Sequence, residues 1–531
     1  MTVMDNRAPG VYIQEIAGSA PISGVSTSCA AFVGFTKGYS ADNGDQRDPD
    51  GIRPQLVTSW DQYVRIYGGH APGALLPHAV QGFFANGGTQ AFIVRIPGGS
   101  TQAGPASASI PAGARQDVES LRVEAIGSGP ALQVEIERPD APPEGGEPPA
   151  EFTLRVVENG SIQEEYTGLT LGRGAQSAER VLTQSSRVRV KITQTQGLSQ
   201  VDRLPPPGVY PLYQPDAVTI PTTPEQIEGS VDERTGYQGL AIAQDVTIVS
   251  IPDLVTIATS PDGAFDLELY TNVQRNLMNW AEARGTCMAI LDAPPDSTPV
   301  AVADWRESLG GSPFAAVYYP HVVVSNPLAP PDATRKEKYL TVPPSGHVAG
   351  IWARTDAGRG VHKAPANEVV RGINALALDI TEAEQARLNP EGINCLRAFG
   401  SYGMRVWGSR TLASRSQGQW KYIPVRRLFN YVEESIRVGT QWAVFEPNDR
   451  DLWQRVKRTV NDFLIQLWRN GALYGSTPDE AFYVKCDESN NPAQSRDQGV
   501  LMVEVGICPV KPAEFIVFQI SQWQGGGETA E

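Results

Sequence analysis

VPPSGHVAGIWARTDAGRGVHKAPAN, residues 342–367, is the segment around which the rest of the chain is organised. Gly346, Gly350, Gly358 and Gly360 punctuate it, and Pro343, Pro344 and Pro365 stop regular structure at both ends. That density of breakers predicts a poor helix and a poor strand. Yet an apolar segment, Val348 to Trp352, is followed by the polar Arg354, Thr355, Asp356 and Arg359. A long glycine-rich segment that holds a tryptophan and several charges follows a defined path between other elements. Beyond it the sequence turns dense in Trp, Arg and Phe, unlike the Pro-, Ser- and Gly-rich middle. The stretch is read as the entrance to a structural core, not as an active site.

Bulk properties narrow the classes. With 531 residues, 41% of them apolar, the chain is long enough for several cores and roughly two to four domains. A net charge of −15 and a pI near 5.0 repel nucleic acid and anionic membrane, so neither is expected as a partner. Five cysteines, Cys29, Cys287, Cys395, Cys486 and Cys508, lie far apart without a CxxC pair. This argues against a disulfide framework and a zinc site. The opening MTVMDNRAPG lacks a signal pattern, and no window nears the ~18 apolar residues of a membrane span. Folding in a reducing cytoplasm is expected, with no membrane insertion.

Outward from the opening stretch, Val11 to Ile16 reads as a strand set off by Pro9-Gly10 and Gly18. Cys29 to Phe35 and Ala91 to Ile96 read as buried strands, and Leu56 to Tyr67 and Leu75 to Phe84 as helices. From Gly98 to Pro207 large apolar residues thin out, and short alternating segments predict an inserted antiparallel β domain. Val246 to Ile251, Met288 to Leu291 and Ala315 to Tyr319 alternate with helices at Leu267 to Arg284 and Val302 to Leu309, which predicts a parallel sheet. Thr381 to Glu384 is a capping box. Val425 to Val438 is helical, with Gly439 at C′. The helix from Asn448 or Asp449 to Gly471 puts Leu452, Val456, Val460, Phe463, Leu464 and Leu467 on one face. Ala481 to Cys486, Gly499 to Ile507 and Glu514 to Ile520 read as strands, the last before a QGGGETAE tail.

Catalytic signatures are few. There is no GxSxG elbow and no Walker loop, and Gly172-Arg173-Gly174 fails as a dinucleotide fingerprint because Ser177 holds its sixth position. The five histidines never stand in HExxH or HxH spacing. Asp253 and Asp292 are the most enzyme-like residues, since each follows a predicted parallel strand at its carboxyl end. Aspartate beside proline there is also ordinary turn and cap chemistry, the commoner case. The two termini are the odd feature: Val11 to Ile16 and Phe515 to Ile520 carry no lysine or proline to blunt an edge. They pair with their own sheet, as many termini do, or they are donated to another chain's sheet.

APGVYIQEI, FFANGGTQAFIVRI and the run from Pro343, with GMRVWGSRTL, WKYIPVRRLFNYVEESI, FEPND, GALYGSTPDEAFYVKCD and PVKPAEFIVFQI, resemble a contractile tail sheath protein. The resemblance covers about half the chain, at both ends and in the family's order; residues 98–207 carry no such signature. It implies an α/β and α+β multidomain fold. Its parts would be an N-terminal donor arm (1–20), a first part of the sheath core (21–97), an outer β insertion (98–207), a Rossmann-like α/β block (208–342), a C-terminal α+β domain (343–510) and a C-terminal arm with tail (511–531).

Sheath subunits stack as six-membered rings around an inner tube and contract without hydrolysing nucleotide. The implied partners are therefore further copies of the chain, the tube, and baseplate and terminal cap proteins, in a phage tail or tail-like particle assembled in a bacterial cytoplasm. Catalytic residues, metal and cofactor are expected to be none. The implied N-terminal arm is Val11, Tyr12, Ile13, Gln14, Glu15 and Ile16; the C-terminal arm is Glu514, Phe515, Ile516, Val517, Phe518, Gln519 and Ile520. The accepting sheet would use Phe482, Tyr483, Val484, Leu501, Val503 and Val505. Arg455, Lys457 and Arg458, on the polar side of their helix, are candidates for a weak contact with an acidic tube. The competing reading is an α/β hydrolase- or transferase-like enzyme using Asp253 and Asp292.

Overall fold

A computed structural model describes residues 21–519 except 41–47, 49–50, 97–106, 114, 127–131, 140–149, 159–160, 173, 194–198, 213–223, 261–262, 331–333 and 335. The short apolar runs spaced along the chain meet in one nine-stranded sheet. Its order is Glu368–Val369, Met404–Val406, Ile393–Ala398, Ala315–Tyr319, Met288–Asp292, Ile248–Ser250, Ala30–Gly34, Ala91–Arg95 and Gln55–Val57. The six central strands are parallel and the edge strands antiparallel. Parallel strands covered on both faces read as unbroken apolar runs, as Met288–Asp292 and Ala315–Tyr319 do. Alternate side chains divide between two cores. Ala289, Leu291 and Val317 pack with the Leu267–Arg284 and Pro299–Leu309 helices; Met288, Ile290, Ala316 and Tyr318 pack with Leu76–Ala85 and the chain beyond Pro344.

That last segment overturns the expectation for the opening stretch. Ser345–Arg359 is a 15-residue α-helix, with Trp352 fully buried. Its glycines are contact surface, not breakers. A β-carbon on Gly346 would lie 2.3 Å from the Ala79 carbonyl oxygen, and one on Gly350 would lie 2.3 Å from the Phe83 carbonyl oxygen. Only a residue without a side chain lets the Leu76–Ala85 backbone come so near. Pro343 and Pro344 precede the helix, where a missing N–H costs nothing, and Gly360 ends it at φ +89°.

Several boundaries also move. The helix expected at Leu56 to Tyr67 is a strand, Gln55–Val57, then a helix, Trp60–Tyr67, begun by Ser59, whose hydroxyl accepts the Gln62 N–H at 3.1 Å. The helix expected at Val425 to Val438 is Ile423–Gly439, with Gly439 inside it rather than past its end; a β-carbon there would lie 2.6 Å from the Ile22 side chain. The inserted region forms two antiparallel sheets around Ile110, Leu121, Val134, Ile136, Leu154 and Val156. It runs past residue 207, because Gly208–Pro211 pairs with Leu132–Glu137. Much of the segment from 343 onward belongs to the large sheet rather than to a C-terminal domain: Ile393–Ala398, with its first four residues buried, pairs with Ala315–Tyr319.

A separate core follows. The Arg450–Arg469 helix, capped by Asp449, buries the six apolar residues named from its period together with Trp453 and Thr459. It packs with Leu428, Val432, Phe482 and Val484, and Ile22 enters the same core from the other end of the chain.

Candidate assembly interface

The sheet expected to accept the arms is small. Phe482–Lys485 pairs antiparallel with Glu504–Ile507, in register Phe482↔Ile507 and Val484↔Val505. Phe482 and Val484 face the core, whereas Tyr483 is 53% exposed. Two strands have two outer edges, and among the described residues neither edge carries a further strand. A two-stranded sheet is marginal alone, and an open edge is a template for another strand. The second strand is shorter than the expected Gly499 to Ile507. Leu501 and Val503 are half-buried but outside the ladder, because Asn491 bonds both the N–H and the C=O of Met502, at 2.7 and 2.9 Å. These side-chain amides take the place of a strand partner.

The expected C-terminal arm begins beside this sheet. Tyr474 N–H donates to the Cys508 carbonyl, Cys508 N–H to Ala481, and Val510 N–H to Ala472. Phe515, Ile516, Val517 and Phe518 are then 72–82% exposed. Residues 514–519 belong to no sheet, and Ile520 lies outside the described residues. Glu514 is different. Arg410 donates to both its carboxylate oxygens, at 2.7 and 2.8 Å, Asn389 donates at 2.7 Å and Tyr422 at 2.9 Å, and Lys421 lies 3.4 Å away. Burial pushes this carboxyl upward, but the donated hydrogen bonds outweigh it and hold the group at about 2. Nothing in the local sequence marks this cluster, because the groups around Glu514 come from three other segments of the chain.

Val11 to Ile16, the expected N-terminal arm, lies outside the described residues. The chain that follows is fastened along the Ile423–Gly439 helix. Ile22 is buried, Val25 N–H donates to the Ser435 hydroxyl at 3.2 Å, and the Thr27 carbonyl accepts from Arg427 at 2.8 Å. Arg427 also grips Asp356 with two bonds, 2.8 and 2.5 Å, and lies 4.8 Å over the Trp352 ring. Arg426 is stacked on Trp420 at 4.2 Å. The Arg426-Arg427 run, which in the sequence has the look of a solvated face or a tube contact, is thus 5% and 4% exposed. Of the three tube candidates, Arg455 pairs with Glu446 at 2.9 Å and covers Trp442, Lys457 is half-buried and Arg458 is exposed.

Asp253 and Asp292 stand at the carboxyl ends of adjacent strands, but both are buried. Asp253 accepts the backbone N–H groups of Phe35 at 2.7 Å, Leu75, and Leu76 at 3.1 Å. Asp292 accepts the Ser345 N–H at 2.9 Å. Each therefore caps the N-terminus of one of the two helices joined by the glycine contact, where a carboxylate meets orphan donors and the positive helix end. Burial pushes both carboxyls up to about 7, against the pull of those donors. The pair holds two helices on a sheet. Among the described residues, no group of three or more His, Cys, Asp or Glu is placed to hold a metal ion.

Buried strand-tip carboxylates used as caps, an open two-stranded sheet and an apolar tail leaving beside it describe a structural subunit. The family described as phage tail sheath protein, central domain, matches residues 250–412, and that described as phage tail sheath, C-terminal domain, matches residues 416–522; together they take in about half the chain. The chain belongs to the contractile tail sheath family, a family of structural proteins rather than enzymes. It is 26% identical over 303 residues to the tail sheath protein of Vibrio phage KVP40, covering 55% of this chain and 42% of that one. It spans about half the length of the curated relatives it matches. Its fold is similar to the helical sheath of the anti-feeding prophage in the contracted state (TM-score 0.55, 23% identity, 97% of this chain and 99% of that one). It is also similar to a chain of the six-fold symmetrised baseplate of that particle (TM-score 0.54, 24% identity, the same coverage).

Proposed function

We propose that this chain is the repeating subunit of a contractile sheath, stacking as six-membered rings around an inner tube and shortening to drive the tube through a target envelope. The observation that carries the reading is the presence, on the same molecule, of an exposed apolar tail, residues 515–518, and a two-stranded sheet that carries no third strand among the described residues. The tail pairs with no strand of its own sheet among the described residues, and on this reading a neighbour's sheet completes it. The contact is heterologous, so it propagates into a helical lattice rather than closing. Val11 to Ile16 and Phe515 to Ile520 would be the two donated strands, with Phe482, Tyr483, Val484 and Val505 in the acceptor. Strands of this kind keep subunits joined while rigid bodies rotate, and the work of contraction comes from a bistable lattice rather than a nucleotide.

The partners on this reading are further copies, an inner tube, and baseplate and cap proteins. The particle is a phage tail or a released tail-like particle, assembled in the bacterial cytoplasm. With Arg455 paired to Glu446 and Lys457 half-buried, the exposed Arg458 is the tube candidate this reading favours. No helix of the described residues is long and apolar enough to cross a membrane. Negative-stain imaging of the expressed chain with a tube protein tests the proposal. Cylinders or ring stacks are expected, and deletion of residues 1–20 should leave a folded chain that forms none. Normal cylinders from the truncated chain would refute the donated N-terminal strand.

A further inference from the structure

We infer that Glu514 is the positioning residue of the C-terminal arm: it fastens the arm's root to the nine-stranded sheet, so that a pull from a neighbouring copy enters the subunit there. The inference rests on the strand-donation reading above. Beyond Val510, no backbone–backbone hydrogen bond ties residues 511–519 to the body among the described residues. The last fixed point before the exposed run at 515–518 is therefore a side chain, the Glu514 carboxylate.

Four of its neighbours converge on it from three separate parts of the chain. Arg410 and Asn389 lie in the central match, and Lys421 and Tyr422 lie in the C-terminal one, so the carboxylate bridges the two regions. Arg410 is itself held by the sheet: Asn394, in the Ile393–Ala398 strand, accepts its N–H at 2.7 Å and donates to its carbonyl at 2.8 Å. The path from arm to sheet is thus Glu514, Arg410, Asn394. Every link is a paired or multiple hydrogen bond, a geometry that resists both shear and rotation. A surface ion pair made only for local stability has no need of several donors from three segments. One placed where a flexible arm leaves the body fixes the arm's starting point and direction, which lowers the entropy lost when it docks.

Glu514→Gln in the full-length chain keeps the size of the group and loses the charge-assisted pairing. Polymer is measured by pelleting over a concentration series, at a temperature well below the melting points of both chains, so that unfolding does not contribute. The expected result is a critical concentration raised about tenfold or more, the change that follows from about 1.4 kcal/mol. A critical concentration equal to that of the unsubstituted chain would overturn the inference, whatever the variant does to the melting point. Deletion of residues 515–531 separates the two claims. If that chain still polymerises normally, strand donation itself fails. If it does not polymerise and Glu514→Gln polymerises normally, donation stands and the anchor falls.

Discussion

Replacing Gly350 by alanine sets two effects of known sign against each other. Alanine is the better helix former by about 1 kcal/mol, so a helix judged in isolation gains. In the folded chain the new methyl would lie 2.3 Å from the Phe83 carbonyl oxygen and 2.8 Å from the Asn86 β-carbon. The first neighbour is backbone inside the Leu76–Ala85 helix and has no rotamer by which to move away. Relief requires the two helices to separate, which pulls Trp352 and Phe83 out of register with the sheet below. Overpacking in a filled core costs typically about 1–3 kcal/mol and more where backbone must shift. The balance is a net loss of about 1–2 kcal/mol. Gly358 supplies the control, since it lies in the same helix, is exposed, and a β-carbon there would meet nothing within 4 Å. Gly358→Ala should therefore gain roughly 0.5–1 kcal/mol. Urea unfolding of the unassembled chain, followed by helical circular dichroism, reads both as midpoint shifts of opposite sign. If Gly350→Ala shifts the midpoint upward as Gly358→Ala does, the close helix contact is wrong.

Further outcomes follow from the same geometry. Asp253→Ala leaves the N–H groups of Phe35, Leu75 and Leu76 without their acceptor; a loss of about 3 kcal/mol is expected in the same unfolding assay, and an unchanged midpoint would contradict its capping role. Arg427→Met strands the buried Asp356 carboxylate and should cost about 3–5 kcal/mol; adding Asp356→Leu should recover most of it, and no recovery would show that the loss is not one of unpaired charge. The Glu514 carboxyl is held at about 2, below its ordinary 4.5. A lowered carboxyl contributes stability above the unfolded value and loses it as pH falls through the folded one, here between about pH 4.5 and 2. The full displacement corresponds to about 3 kcal/mol; screening at a side chain that is 18% exposed brings it to roughly 1–2 kcal/mol. The stability difference between the unsubstituted chain and Glu514→Gln should shrink over that window, and a difference that stays constant would contradict the pairing.

How far the fold was legible depended on whether its determinants are local. Leu267–Arg284 and Ala315–Tyr319 appear with the bounds their patterns predict, and the Thr381 and Glu384 capping box forms with both reciprocal bonds. In each case the deciding residues lie within one or two turns of each other. The Ser345–Arg359 helix was illegible for the opposite reason. A glycine that breaks a solitary helix and one that admits a neighbouring helix are the same letter, and only the carbonyls of Ala79 and Phe83 distinguish them. Asp253 and Asp292 were visible as strand-tip carboxylates, but the N–H groups they serve are remote in sequence, at Phe35, Leu75 and Leu76 for one and Ser345 for the other. The strand at Glu504–Ile507 is shorter than the pattern from Gly499 predicts because Asn491 satisfies Met502 from outside the strand. The Glu514 cluster, spread over residues 389 to 514, has no local signature at all.

The claim that each tail is completed by another copy is tested most directly by a covalent trap. Cys508 is the exposed cysteine and the other four are buried, so Cys508→Ser gives a quiet background. Val517→Cys is combined in that chain with Tyr483→Cys or with Val505→Cys, and the assembled material is oxidised and run on a non-reducing gel. The account predicts a ladder of covalent multimers, since every tail lies against a neighbour's sheet. Oxidation that yields only internally closed monomers, from material that has polymerised, would contradict it.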